Sequence, residues 1–253
     1  MRRTKDPSTC SIDPITIQLI RGSLRAARLE CELIIERTAM SAFIREKKDY
    51  TVSFLDAEGH EIIGDTMGSD IMGCVWEFYP ALTMRPGDLY WYNDPYLSKG
   101  SITHTPDMVF IAPVFHENEI VGYCHSFAHF WDLGGSRPGS IGPSNTEIFH
   151  DGTLVPPIKI IDNGTLNEEA YRIILRNSRY PDLLEGDSNS LMAATGRAQE
   201  RLTKDVRSIR SSNTTRSYRT RETSYCYHDP NPNACRHTGR GIKQSEIIWT
   251  MAG

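Results

Sequence analysis

Apolar side chains recur at steps of three and four near the start of the chain: Ile17, Ile20, Leu24, Ala27, Cys31 and Ile34. That period gives a helix one apolar face. Asp13-Pro14 opens it, an acidic cap followed by proline at the first helical position. The pattern fades over 38–41, where the helix is expected to end. Residues 50–55 and 60–63 are then two short β-rich runs around Asp56-Ala57-Glu58-Gly59, which predicts a hairpin. Residues 74–84 read as helical, with Arg85-Pro86-Gly87-Asp88 as the stop, and 89–92 as a strand ended by Asn93-Asp94-Pro95. Residues 108–115 and 120–131 form a second hairpin around 116–119. Turns rich in glycine and proline follow, then helices at 166–176 and 191–202. Hairpins interleaved with a few helices, without βαβ alternation or an internal repeat, predict an α+β fold. In it a mixed or antiparallel sheet packs against helices.

Length and composition sharpen this picture. The chain has 253 residues, 39% of them hydrophobic and 24% charged, enough to bury a sizeable core. No apolar run approaches the roughly 20 residues that cross a membrane. The basic N-terminus has no apolar stretch behind it, so it is not a secretory signal. Six scattered cysteines without a CxxC pair read as free thiols, and the expected location is the cytoplasm. The net charge of −4 is uneven. From 206 onward eight Lys/Arg stand against three Asp/Glu, leaving −9 for residues 1–205. Between 207 and 241 the only Leu, Ile, Val, Met or Phe is Ile209. Such a stretch buries too little to offset its ordering entropy and reads as a disordered basic tail. The expected division is an extension over 1–12, a domain over 13–205 and a tail over 206–253. A basic tail without a folded basic module does not make a nucleic-acid binder. Cys226, His228, Cys235 and His237 in the tail lack a standard zinc spacing.

Candidate chemistry gathers between Gly100 and Gly135. His104-Thr105-Pro106-Asp107 precedes His129-Phe130-Trp131-Asp132 by about one strand pair. Imidazole and carboxylate suit zinc, manganese or iron. Strand alternation puts His125, Phe127, His129 and Trp131 on one face of the second hairpin. A simple hairpin turning near 117–118 sets 108 opposite about 127, and His104 opposite about 131. The two segments then meet; otherwise they are ordinary turn and strand residues. His60, His116, His125 and His150 read as surface or structural histidines. Asp49, after Arg45-Glu46-Lys47-Lys48, reads alone as a solvated charge, and Asp94 as a turn-former. A phosphate-binding loop and a Gly-x-Ser-x-Gly elbow are both absent from the sequence.

One ordered series of motifs resembles a known family. It runs Asp13-Pro14-Ile-Thr-Ile, Arg-Glu-Lys-Lys-Asp49-Tyr, Phe-Leu-Asp-Ala-Glu-Gly59, Arg-Pro-Gly-Asp88 and Asn93-Asp94-Pro95-Tyr96. His104-Thr-Pro-Asp107, Ala128-His129 with Asp132-Leu-Gly-Gly135, Pro138-Gly139-Ser140, Pro156-Pro157-Ile-Lys159 and Gly164-x-Leu-Asn167 continue it. Over residues 12–205 the chain is similar to the hydantoinase B/oxoprolinase family. That family includes subunits of ATP-dependent hydantoinases, the C-terminal part of 5-oxoprolinase, and subunits of acetone- and acetophenone-type carboxylases. The resemblance implies a metal-binding B-type subunit in a hetero-oligomer with an ATP-binding A-type subunit, hydrolysing a cyclic amide. Asp49, His104, Asp107 and His129 are the implied metal ligands. Asp132 would orient a ligand histidine, and Asp132 and Asp94 are the candidate catalytic carboxylates. The chain departs from many members at Gly64 to Cys74, where they are rich in histidine. It also carries His129-Phe130-Trp131 where they carry two adjacent histidines, and an aromatic pocket there suits a ketone. That pocket makes an acetone- or acetophenone-type carboxylase subunit one alternative expectation; family members are considerably longer, which makes a truncated non-catalytic interaction subunit the other.

Overall fold

The computed structural model describes residues 14–66 and 69–211. Helix α1 spans Pro14–Thr38, and a short α2 spans Ala42–Arg45. Asp13, the expected cap, lies outside the described residues. Strands β1 (Tyr50–Leu55) and β2 (Glu61–Ile63) form the first hairpin. Helix α3 (Gly73–Phe78), a 3-10 turn at Ala81–Thr83 and β3 (Leu89–Tyr92) follow. The helix expected over 74–84 is thus cut short, because Pro80 supplies no amide proton to continue it. Strands β4 (Asp107–His116) and β5 (Glu119–His129) form the second hairpin. β6 (Ile158–Asp162) and β7 (Thr165–Leu166) form a third, and α4 (Glu168–Arg176) and α5 (Pro181–Ser211) close the described chain. The Asn167 side chain caps α4 by accepting from the Ala170 amide.

Among the described residues seven strands make one sheet in the order β2-β1-β5-β4-β3-β6-β7, every pair antiparallel. This is the expected α+β architecture. One face, with Val52, Phe54, Trp91, Phe110, Cys124 and Phe130, packs on α1, α4 and α5 through Leu24, Ala27, Cys31, Tyr171, Leu191 and Leu202. The other face, with Tyr90, Tyr92, Val109, Ile111 and Tyr123, is covered by Ile71, Met72, Cys74, Val75 and Ile102. With both faces covered, β3 and most of β4 are buried on both sides, so they read as continuous apolar runs rather than alternating ones.

Helix α5 is far longer than the 191–202 read from periodicity. Pro181 sits at its first position, where a missing amide proton costs nothing. Ser188, Ser190 and Thr195 bond back to the carbonyls of Leu184, Gly186 and Leu191, which satisfies hydroxyls that would otherwise oppose burial. Val206 is buried in the core and the helix continues to Ser211, so the boundary expected at 205 falls inside α5. Residues 1–12, the remainder of the basic tail and its Cys/His pairs lie outside the described residues. No described helix is long and apolar enough to cross a membrane.

One irregularity sets the geometry of the second hairpin. His116 pairs with Glu119 and Phe115 with Ile120, but Val114 pairs with Gly122. The extra residue, Val121, is a β-bulge. It shifts the register by one, so Met108 faces Ala128 rather than 127, and Asp107 faces His129. The bulge needs glycine, since a Cβ at Gly122 would lie 2.4 Å from the Leu55 carbonyl oxygen on β1. Gly122→Ala is therefore expected to destabilise the fold by about 2–3 kcal/mol, read from the urea midpoint. A midpoint equal to wild type would show that β1 yields at no cost.

Candidate metal centre

The register just described brings the start of β4 beside the end of β5. Asp107 and His129 are direct cross-strand partners on the sheet face away from α1 and α5. His104 precedes β4 by a tight turn in which the Asp107 amide donates to the His104 carbonyl. The loop carrying it is anchored by buried Asn93, which donates to the Thr105 and Thr153 carbonyls and accepts from the Val155 amide. Thr105 adds a bond from its hydroxyl to the Asp151 carbonyl, 2.8 Å.

Three donor atoms converge as a result. His104 Nε2 lies 3.0 Å from His129 Nδ1 and 3.1 Å from Asp107 Oδ1, and His129 Nδ1 lies 3.3 Å from Asp107 Oδ1. They form a group able to hold a metal ion. Bonds of about 2.1 Å to one cation place neighbouring ligand atoms roughly 3.0–3.4 Å apart, so the triangle fits with little adjustment. Two imidazoles and one carboxylate are a donor set that zinc, manganese or non-haem iron accepts.

The surroundings fix each donor. Thr103 Oγ1 lies 2.9 Å from His104 Nδ1, which leaves Nε2 to face the centre. The hydrogen bond to Asp107 raises the His104 pKa against the opposing effect of burial, and the charges of Asp107, Asp49 and Asp151 add to the rise. Burial pushes the Asp107 carboxyl upward, but the bonds from His104 and His129 hold it below its usual value. Phe43 from α2 packs on the His129 ring at 4.6 Å between centroids and meets Trp131 at 5.3 Å. Asp49 stands at the rim. Its carbonyl accepts from the His129 amide at 3.0 Å, and its half-exposed carboxylate lies 4.0 Å from His129 Nδ1.

The structure thus brings together His104, Asp107 and His129, with Asp49 beside them. It places Asp132 and Asp94 in other tasks. Asp132 is buried, and its Oδ1 accepts from the amides of Gly134 and Arg179, its Oδ2 from the Gly139 amide and the Arg179 guanidinium. Burial works against its ionisation, yet these donors keep its pKa below the usual range. Arg179 also bonds the carbonyls of Gly134, Gly135 and Arg137, so Asp132 and Arg179 together pin the glycine-rich loop 133–140 to the start of α5. No bond joins Asp132 to either histidine of the triad; the carboxylate expected to orient a ligand instead braces a loop. Asp94 Oδ1 accepts from the amides of Tyr96 and Leu97 and opens the turn at 94–98.

His60 and His150 pair with Asp56 and Glu147, while His125 is buried in the sheet two pleats from His129. Sequence reading missed three neighbours. Phe43 lies in a helix too short to show a period, Thr103 lies in a loop and Asp151 ends a short 3-10 turn at Ile148–Asp151, where only the fold assigns a direction.

Known proteins share this fold. The chain matches the family described as hydantoinase B/oxoprolinase over residues 13–219. It is 30% identical over 195 residues to the caprolactamase subunit beta of Pseudomonas jessenii, covering 73% of this chain and 32% of that one. Among solved structures, ATP-dependent caprolactamase from Pseudomonas jessenii superposes with a TM-score of 0.71 and 28% identity, over 81% of this chain and 35% of that one. A nucleotide-free acetone carboxylase gives a TM-score of 0.69 at 21% identity, covering 80% of this chain and 27% of that one, which is a likeness of fold. The chain spans about a third of the length of the first curated relatives it matches.

Proposed function

We propose, from the premise that this chain belongs to the hydantoinase B/oxoprolinase family, that it carries the metal site of a B-type subunit in an ATP-dependent cyclic-amide hydrolase. The observation that carries this reading is the triangle of His104 Nε2, Asp107 Oδ1 and His129 Nδ1, with sides of 3.0–3.3 Å. Those three residues would hold a divalent zinc, manganese or iron ion, with Asp49 at the rim. When bound, such an ion supplies Lewis acidity to a carbonyl oxygen.

The protein's own groups prepare the site. Thr103 holds the His104 ring by Nδ1, and Phe43 packs against the His129 ring. Asp49 Oδ2, half exposed at the rim, would accept a proton from an entering water. Hydrolysis of a cyclic amide breaks the ring C–N bond, gives the water oxygen to carbon and a proton to nitrogen. An A-type partner would bind ATP and phosphorylate the amide oxygen; water addition with C–N cleavage then leaves an acyl phosphate on the opened ring, and a second water releases inorganic phosphate and the carboxylate. The reading places the complex in the cytoplasm, where ATP is available.

A second reading, a subunit of an ATP-dependent ketone carboxylase, draws support from the aromatic wall of Phe43 and Trp131 beside His129. Reconstitution with the A-type partner separates the two. ATP-dependent ring opening of hydantoin, 5-oxoproline or caprolactam is the expected result. Turnover of acetone or acetophenone with bicarbonate would replace the first reading with the second, and ATP-dependent turnover of none of these would sink both.

A further inference from the structure

Helix α1 is apolar on two opposite sides. Leu24, Ala27, Cys31 and Ile35 are buried against the body of the protein. Ile15, Leu19, Gly22, Ala26, Leu29 and Leu33 lie on the other side, at alternating steps of four and three. At about 100° per residue this second set centres roughly 180° from the first. Its large members are open to solvent: Ile15 and Leu19 are 69% exposed, Leu29 61% and Leu33 46%. Among the described residues a Cβ at Gly22 would meet nothing within 4 Å. Glycine in mid-helix is otherwise costly, so its place in the seam suits the close approach of another helix.

We propose that two copies of this chain associate through this seam, with their α1 helices paired in parallel as a short two-stranded coiled coil. Charge selects the occupant and the direction. In a heptad frame with Leu19, Ala26 and Leu33 at one core position and Ile15, Gly22 and Leu29 at the other, the flanking positions hold Arg25, Glu30, Glu32 and Arg37. Parallel pairing sets Arg25 and Glu32, which directly precede core positions Ala26 and Leu33, each beside the residue five positions on in the other helix. Arg25 then meets Glu30 of the second copy, and Glu32 meets Arg37. Both arginines are exposed. Glu30 already binds Arg197 and Arg201, and Glu32 binds Arg28, but a carboxylate accepts more than one donor. Antiparallel pairing would instead set Arg25 against its own copy.

Size and shape agree. The seam exposes on the order of 500 Å² of apolar surface per copy, so a pair buries about 1,000 Å², where specific interfaces begin. The buried face of α1 points directly away from the seam, so the two bodies lie on the outside of the helix pair. The contact is isologous and closes as a dimer. It does not depend on the metal centre or on the proposed activity.

Sedimentation velocity of the full chain between about 5 and 100 μM tests it. A monomer–dimer equilibrium is expected for wild type. Leu29→Glu should give monomer across the range, and Arg25→Glu should weaken association several-fold, with circular dichroism unchanged in both. Under mild oxidation Ala26→Cys should yield a dimer whose cross-linked peptide joins position 26 to position 26. Wild type that stays monomeric, or a dimer that persists in Leu29→Glu, overturns the proposal. A dimer sensitive to Leu29→Glu but not linked through Ala26→Cys overturns the parallel register.

Discussion

Alanine in place of His104 or His129 is expected to lower affinity for a divalent metal by at least about 100-fold, seen as loss of stoichiometric metal on elemental analysis. Each histidine supplies one of three donor atoms that lie within 3.3 Å of each other. Removing one leaves two donors and an open face that water fills. Groups that only orient a ligand already cost roughly 10–100-fold when removed, so a direct donor sets the larger loss. The same scale gives the expected ordering. Thr103→Val, which releases the His104 Nδ1 bond, should lose about 10-fold. Asp49→Asn, at 4.0 Å and half exposed, should lose less than His129→Ala. Titration calorimetry with zinc, manganese and iron(II) on the purified chain measures all four variants without any assay of turnover. Equal metal content in wild type, His104→Ala and His129→Ala would remove the metal reading and favour a non-catalytic subunit.

Acid should destabilise this protein well before its carboxylates protonate, and His125 is the expected cause. The side chain is fully buried on β5, its Nδ1 has no hydrogen-bond partner among the described residues, and burial pushes its pKa down from near 6.5 to about 3. The folded protein therefore keeps the ring neutral, while the unfolded chain binds a proton below about pH 6.5. Stability from this group is complete above the unfolded value and is lost as pH falls toward the folded one. The slope approaches 1.4 kcal/mol per pH unit, and the loss between pH 6.5 and 4.5 comes to about 2 kcal/mol. His104 acts in the opposite sense, because its raised pKa favours the folded state at low pH. The measurement that isolates His125 is the difference between wild type and His125→Leu in urea unfolding across that range. Wild type should lose about 2 kcal/mol relative to the variant. A difference that stays flat with pH would mean that His125 is solvated or protonated in the fold.

Much of the architecture was legible in consecutive residues. The spacing of Leu24, Ala27 and Cys31 gave α1 its buried face, and the β-rich runs around 56–59 and 116–119 gave two hairpins. Those signals are local, because helix and strand periods follow from backbone geometry over a few residues. Propensity failed where tertiary contact outweighed it. Ser188, Ser190 and Gly186 argue against helix over 181–190, yet burial of Leu184 and Leu191 and back-bonded hydroxyls extend α5 through them. The third hairpin, β6–β7, carries too few residues to show a period.

The candidate site was legible as residue types rather than as an arrangement. His104, Asp107 and His129 stand out by chemistry, but a hairpin without a bulge would have offset them by one residue. Asp132 looked equivalent to Asp107 in the sequence, since both follow a histidine by three positions. The amides of Gly134 and Gly139 take part of its bonding capacity and Arg179, 47 residues away, the rest, and no local rule names that distant partner.

The amino-acid sequence by itself determined the α+β class, the strand-rich frame and the pool of imidazoles and carboxylates from which a metal centre is drawn. Only the tertiary structure decided that a bulge at Val121 slips the β4–β5 register by one, that Asp107 consequently faces His129, and that Asp132 is committed to a loop. The division has a physical cause. Backbone periodicity is set by neighbours along the chain, whereas the atom that satisfies a given donor or acceptor is chosen by proximity in space, across whatever length of chain separates the two.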